Sequence, residues 1–438
     1  MAVRFIHTAD IHLGKTYRHS GSEQIRYQDF FCTLAVIVAD ALAEQVDFVL
    51  IAGDLFHTGQ ILPQTFARTI ETLQPLKDAG IPCIAVEGNH DWIHRRDSIS
   101  WMEALSQMGY LKLLRPSRIE DGGYQFAIFD EEQGAGGHLL IGDLNIYGLG
   151  YIGAQAGIHV ARICEAVTTS NNLLLFHVGI WSFSPVEIGN MKPEEALPLA
   201  ERFGYLALGH GHKPYIVETP DGRPYGFNPG SPERVNFGEQ KYDKGYYLVR
   251  GEKGCFDHEF RTTDPRPMQA VVVDLDGATD AEQALGAFRE HLKIVMGSLS
   301  VSGGESRQPL IDLKLTGKVG FHPFELGREQ LRKVLDEVCQ PLHVEIRNQL
   351  SLVNRGGADK SSGKNLADIE QEVLRELIEA SSDYKGSQGE LVELSLAIRD
   401  LVLRGEAEDD ELLALLERSE GSAALTGGEN HQAKSFKL

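Results

Sequence analysis

No stretch of this sequence approaches the length of a bilayer-crossing helix. The opening residues, MAVRFIHTADIHLG, lack the basic start and long apolar segment of a secretory signal, so the expected compartment is the cytoplasm. Cysteine is scarce. The five, Cys32, Cys83, Cys164, Cys255 and Cys339, are odd in number and never form a C-x-x-C pair, which argues against a disulfide framework and against a thiolate zinc site. Basic charge is also short: 42 Lys and Arg face 63 Asp and Glu, a net of −21. That balance disfavours coating nucleic acid by bulk electrostatics, although it leaves room for a local basic cleft. Residues 366 to 438 hold 17 acidic and 7 basic side chains, so nearly half the negative excess lies in the last sixth of the chain. A P-loop is missing as well. The segment GGADKSSGKN resembles one, but Ala358 stands where Gly is required and Asn365 where Ser or Thr is required.

What remains is the composition of an ordinary globular protein, 42% hydrophobic and 24% charged, in a chain of 438 residues, long enough for two or three structural units. Up to about residue 263, short apolar runs flanked by Gly, Asn and Asp read as buried strands: VRFIHTA, DFVLIAGD, IPCIAVEGNHD, YQFAIFD, LLIGDLNIYGL, NLLLFHVG, YLALGHGH and GYYLVRG. Helical patterns lie between the first of these, near residues 24–44 and 64–79. Together they predict an α/β layered domain over 1–265. After DPRP, strand-like MQAVVVDL, PLIDLKLTG and LHVEIRNQL alternate with helix-like 280–295 and 325–339, a small α+β module over 266–352 with a Gly/Ser connection at 297–307. Residues 353–365 read as linker. Apolar stripes at helical spacing mark a helical segment over 366–419, and 420–438 reads as a disordered tail.

The strand ends carry the chemistry. One run terminates in Asp10 and His12, the next in Asp54, then Asn89, His90 and Asp91, then His177, and last His210 and His212. Each alone has a bland reading: a turn or an N-cap for Asp10 and His12, a turn for Asn89–Asp91, a satisfied core histidine for His177. As an ordered set, five strand ends converging on one sheet edge would place imidazoles, carboxylates and one amide oxygen together on a rigid scaffold. Pairs two residues apart are expected to share a side in extended backbone, with Gly211 letting the chain pass close to what His210 and His212 grip. The sulfur-free set suits manganese, iron or zinc, and seven ligands exceed what one ion takes. Two ions sharing a carboxylate fit better, an arrangement that generates hydroxide near neutral pH and neutralises an in-line phosphoryl displacement.

The ordered series D-x-H, GD, GNHD, H, GHxH over residues 10–212 resembles the calcineurin-like metallophosphoesterases. Further likeness, carried by HTADIHLG, AGDLFHTG and NPGSPERVNFGE followed by KGYYLV, is to the DNA-repair exonuclease branch, the SbcD and YhaO-like nucleases. The resemblance implies a two-sheet sandwich flanked by helices, followed by a capping module and C-terminal helices. It implies that Asp10, His12, Asp54 and His212 bind one metal, usually manganese, with Asp54 bridging to a second ion completed by Asn89, His177 and His210. By the same resemblance His90 is the general acid, Asp91 orients it and His57 assists. Arg18, Arg95 and Arg96, close to two motif loops, are candidates for holding backbone phosphates, with solvated surface charge as the equal alternative.

The implied activity is DNA exonuclease, with endonuclease action open, in partnership with an SMC-like coiled-coil ATPase clasped by the C-terminal helices; a homodimer is left open. The alternatives are a phosphoesterase acting on nucleotides or phosphoproteins, and a non-catalytic scaffold, which the complete ligand set disfavours.

Overall fold

The computed structural model describes residues 2–16, 22–92, 97–120, 122–154, 156–183, 188–252, 254–299 and 307–353, together with 373–376 and 391–397. Met1–Val353 forms one compact unit and Asn354–Leu438 a second. In the second, the described residues 373–376 and 391–397 are helical. The linker at 353–365 beyond Val353, the remainder of 366–419, the tail 420–438 and most of the Gly/Ser connection lie outside the described residues.

The apolar runs of the first 263 residues build two six-stranded sheets. In one, the order is Cys255–Thr262, Gly245–Glu252, Val3–Thr8, Phe48–Ile51, Cys83–Ala85, Lys112–Leu113. In the other it is Tyr215–Glu218, Pro224–Asn228, Tyr205–Leu208, Asn172–Phe176, Leu144–Leu149, His138–Ile141. The four central strands of the second sheet run parallel, as do the last four of the first, with antiparallel strands at the margins.

Alternation along the strands explains the layering. Phe5, Phe48, Leu50, Leu173, Leu175 and Tyr205 meet in the core between the two sheets. Their neighbours Ile6, Val49 and Ile51 face helices Glu23–Ala43 and Pro63–Asp78, while Leu174 and Phe176 face the helical segments at 160–166 and 199–202. The result is a helix–sheet–sheet–helix sandwich whose strands are apolar on both faces, as parallel buried strands must be. Aromatic rings close the middle: Phe5 stacks on Phe48 at 4.7 Å, meets Tyr205 edge-on at 5.4 Å, and Tyr205 stacks on Phe227 at 4.3 Å. Each such pair contributes about 0.5–1.5 kcal/mol beyond area burial.

Two sequence readings change. LLIGDLNIYGL is not one strand but a hairpin, because Gly142 takes φ 60° and turns His138–Ile141 back onto Leu144–Leu149 in two residues. YQFAIFD contributes only Tyr124–Gln125 to a two-stranded ribbon.

Beyond Pro267 stands a third sheet, Met268–Asp274, Leu310–Val319 and His343–Leu352, with its own core. Its strands are all parallel, so helices Ala281–Leu299 and Arg328–Val338 serve as crossovers. No helix among the described residues is long and apolar enough to cross a membrane.

Candidate metal centre

The two parallel sheets present the carboxyl ends of their strands at a common edge, and the expected side chains emerge there. Extended alternation is not how they do so. Each strand has already ended, at Thr8, Ile51 and Leu208, and the backbone turns left-handed: φ is 53° at Asp10, 53° at His12, 51° at Asp54 and 72° at His210. Only seven non-glycine residues among those described have positive φ, and four of them are candidate ligands. Conformations this sparsely populated persist only where surrounding contacts enforce them. Here the Asp10 N–H donates to the Gly53 carbonyl at 3.1 Å and the His12 N–H to the Asp54 carbonyl at 3.0 Å, tying the first loop to the second.

Glycine supplies the close approach at Gly88, Gly53 and Gly209. A Cβ on Gly88 would sit 2.0 Å from Asp54 Oδ1, and one on Gly53 2.2 Å from His177 Nδ1. At Gly209 it would collide with the Ala52 carbonyl at 2.1 Å.

Hydrogen bonds at the backs of the rings set which nitrogens face inward. His177 Nδ1–H donates to the Ala52 carbonyl at 2.6 Å and His210 Nε2–H to the Ile188 carbonyl at 2.7 Å. Their remaining nitrogens therefore carry lone pairs, and both face Asn89 Oδ1, at 3.2 and 3.0 Å. His12 Nε2 and His212 Nε2 lie 3.1 Å apart. Asp54 Oδ2 is 3.9 Å from His12 Nε2 and 3.6 Å from His177 Nε2, while Asp10 Oδ1 is 3.9 Å from His212 Nε2. Of three groups that each bring one ligand atom per residue within 4.8 Å of the others, two contain carboxylates, the triads Asp10–His12–His212 and Asp10–Asp54–His177, and the third is the all-histidine set His12–His57–His90.

These groups fit a cation. Asp10 Oδ2 is buried with no hydrogen-bond partner, a costly state for a carboxylate oxygen unless something positive faces it. Burial raises the Asp10 carboxyl to about 6, with Asp54 adding to the rise against the pull of His212 and His177. Burial also keeps the rings neutral, holding His12 well below its ordinary value and bringing His57 and His210 to about 4. Imidazoles with inward lone pairs and an unpartnered carboxylate oxygen, without sulfur, suit a divalent cation.

A further set of contacts supports His212. Glu239 Oε1 accepts its Nδ1–H at 2.7 Å, leaving Nε2 as the donor side toward a metal. Although burial opposes the charged form of both groups, this bond raises His212 and brings Glu239 down to about 2, aided by Lys244. The other carboxylate oxygen accepts from Lys244 Nζ at 2.6 Å, Val235 N at 3.0 Å and Ser231 Oγ at 3.2 Å. Asn228 Nδ2 holds the same loop through the carbonyls of Gly211 and Lys213. Sequence reading singled out the motifs containing Asn228, Glu239 and Lys244 but gave none of the three a role; Lys15 it missed, since no local spacing ties it to the histidines.

His90 and His57 stand beside the triads. Their rings stack at 5.4 Å, and the His90 ring meets that of His12 edge-on at 4.9 Å. His57 Nδ1 is 3.3 Å from His12 Nδ1, and its Nε2 is 3.3 Å from Lys15 Nζ. Asp91 does not orient the His90 ring. Its carboxylate accepts backbone N–H groups of Leu55, Phe56 and Gly88 at 3.2, 2.9 and 2.9 Å, stapling two motif loops together, and the His57 carbonyl holds His90 Nδ1 at 2.8 Å. Arg18, Arg95 and Arg96 lie outside the described residues.

Residues 3–214 match the model of the calcineurin-like phosphoesterases. The DNA double-strand break repair protein Mre11 of Archaeoglobus fulgidus is 30% identical over 365 residues, 79% of this chain and 77% of that protein. Its counterpart in Haloferax volcanii is 30% identical over 288 residues, 66% of this chain and 58% of that protein. The Methanopyrus kandleri protein is 28% identical over 255 residues, covering 57% and 53%. The chain thus spans little more than half the length of some of these relatives. A family model aligned with the edge that bears both triads, and a relative matched over most of its length, place this chain among the calcineurin-like phosphoesterases, in their Mre11/SbcD branch.

Proposed function

We propose that the chain is a DNA phosphodiesterase, an exonuclease of double-strand break repair that works with two divalent ions, manganese by preference, in the cytoplasm. The observation that carries this reading is the position of Asp54, whose Oδ2 lies within 3.9 Å of His12 on one side and 3.6 Å of His177 on the other. One carboxylate between two ligand groups suits a bridged pair. Asp10, His12 and His212 would hold one ion and Asn89, His177 and His210 the other. Such a pair supplies an activated water and neutralises charge on a phosphoryl group undergoing in-line displacement.

The chain's own residues do the rest. With Nδ1–H committed to the His57 carbonyl, His90 in its doubly protonated form has Nε2–H left to give its proton to the leaving oxygen as the P–O bond breaks, returning to the neutral ring. His57 lies against His12 and Lys15, where it steadies the ring of His12. The ordering N–H bond from His90 to Asp54 Oδ1, 2.9 Å, couples the acid's loop to the bridging carboxylate. The names of the archaeal relatives support DNA as substrate. The resemblance to the branch supports an SMC-like ATPase as partner; the pairing of two copies of the chain stays open.

The test is manganese-loaded chain offered labelled single-stranded and duplex DNA, a phosphopeptide and a cyclic nucleotide, with EDTA and re-addition of metal as control. DNA cleavage that EDTA abolishes and manganese restores is expected; turnover confined to the phosphopeptide or cyclic nucleotide would overturn the reading. His90→Asn is expected to lose about a hundredfold or more in kcat while still binding metal. Full turnover by that variant would remove the proton-donor role.

A further inference from the structure

Next to the ligand rings the surface carries an aromatic shelf. Tyr151 lies with its ring centroid 5.4 Å from that of His210 and 6.1 Å from that of His177. Trp92 lies against Tyr151 at 5.8 Å, inclined by 60°. The shelf is held from behind. The Tyr151 N–H donates to the Glu87 carbonyl at 2.8 Å, and a Cβ on Gly189 would meet the Tyr151 ring at 2.4 Å, so backbone packs directly against it. A Cβ on Gly59 would likewise stand 2.2 Å from the Trp92 carbonyl. The Trp92 backbone is therefore wedged in place while the residue as a whole is 55% exposed.

What sets Trp92 apart from other exposed apolar side chains is its place: a large, flat ring, packed through Tyr151 against the candidate ligand rings, where a group attached to a bound phosphate would lie. On the proposed phosphodiesterase reading, the group attached to the phosphate through its sugar is a nucleobase, and every base has a π-face that stacks on aromatic side chains without regard to sequence. We infer that Trp92, backed by Tyr151, stacks the base of the nucleotide next to the scissile phosphate. Inside a duplex both faces of a base are already occupied by its neighbours, and even at a blunt end only one face of the last pair is open. The shelf thus selects unpaired or frayed strands, and Trp92 is a substrate-positioning residue for single-stranded termini.

The test uses the full chain with manganese, a single-stranded oligonucleotide, the same oligonucleotide with abasic terminal nucleotides, and the Trp92→Ala and Trp92→Phe variants. Trp92→Ala is expected to raise KM about tenfold on the base-bearing strand with little change in kcat, Trp92→Phe to retain most of the affinity, and the abasic strand to show no such difference between proteins. Equal loss on both strands, or none on either, overturns the inference while leaving the nuclease reading standing. In EDTA, where cleavage stops, the base-bearing strand should quench indole fluorescence of the native protein and not of Trp92→Phe. That quenching pattern in a protein that cleaves no DNA would uphold the shelf and sink the nuclease reading; undiminished quenching in Trp92→Phe would sink the shelf.

Discussion

Glu239 does for His212 what the carbonyls of Ala52 and Ile188 do for His177 and His210: it takes the ring's one proton on the far side and turns a lone pair inward. A carboxylate does so more strongly than a carbonyl, because its charge also raises the basicity of the ring. Glu239→Gln keeps the shape and one acceptor but removes that charge and leaves Lys244, fully buried, without its ion partner. Affinity for the first ion should fall about 10- to 100-fold, measured by competition against a metal chelator, with circular dichroism confirming the fold. Unchanged affinity in a folded variant would show that His212 needs no such orientation. The residue types at the centre were readable in the sequence. The Glu239 contact was not, because it joins positions 27 residues apart through a loop with no regular period.

At the scale of elements, the strands that were easiest to read are those buried on both faces, such as Phe48–Ile51, Asn172–Phe176 and Tyr205–Leu208. Cys255–Thr262 escaped because it is an edge strand in which exposed and half-buried positions alternate and no continuous apolar run forms. The strand that begins the third sheet is tied to the sandwich by a cluster that periodicity cannot reveal. Arg266 grips Asp29 with Nε at 2.6 Å and Nη2 at 2.9 Å, Arg26 reaches the same carboxylate at 2.7 Å, and Glu233 lies 3.4 Å from Arg26. All four are nearly or fully buried. Two positive and two negative groups balance there, so removing one leaves an uncompensated buried charge. Arg266→Ala should cost about 3–5 kcal/mol in denaturant unfolding, and Arg266→Lys should rescue little of it, since an ammonium cannot reproduce the two-pronged contact. A loss below about 1 kcal/mol would mean the cluster behaves as a solvated surface pair. The same region approaches the metal centre: Gln240, next to Glu239, accepts the Ala270 N–H of the third sheet at 2.7 Å.

For the molecule as a whole, the largely apolar interface between the two sheets is crossed by the fully buried His7. His7 Nε2–H donates to the Leu208 carbonyl and Nδ1 accepts from the Tyr205 hydroxyl, both at 3.0 Å. Burial, opposed only by the Leu208 bond, pulls this imidazole down to about 3. The unfolded chain takes up the proton near pH 6.5, its ordinary value, whereas the folded protein refuses it until about pH 3. Stability from neutral His7 is therefore whole above pH 6.5 and declines as pH falls through that window, by at most about 1.4 kcal/mol per pH unit. Unfolding measured across pH 7 to 4 should show a shallower decline for His7→Gln than for the native protein. Parallel curves would exclude His7 as the source.

The sequence by itself determined which side chains end each buried strand, and hence the ordered set of carboxylates, imidazoles and amide that marks the family, because both the apolar runs and the residues that stop them are local features. Tertiary structure decided how those side chains meet. Left-handed loops at Asp10, His12, Asp54 and His210 replace extended alternation, Asp91 braces backbone instead of His90, and Glu239 completes His212. These are relations between loops from separate strands, settled only when two sheets pack face to face and bring their carboxyl ends to one edge.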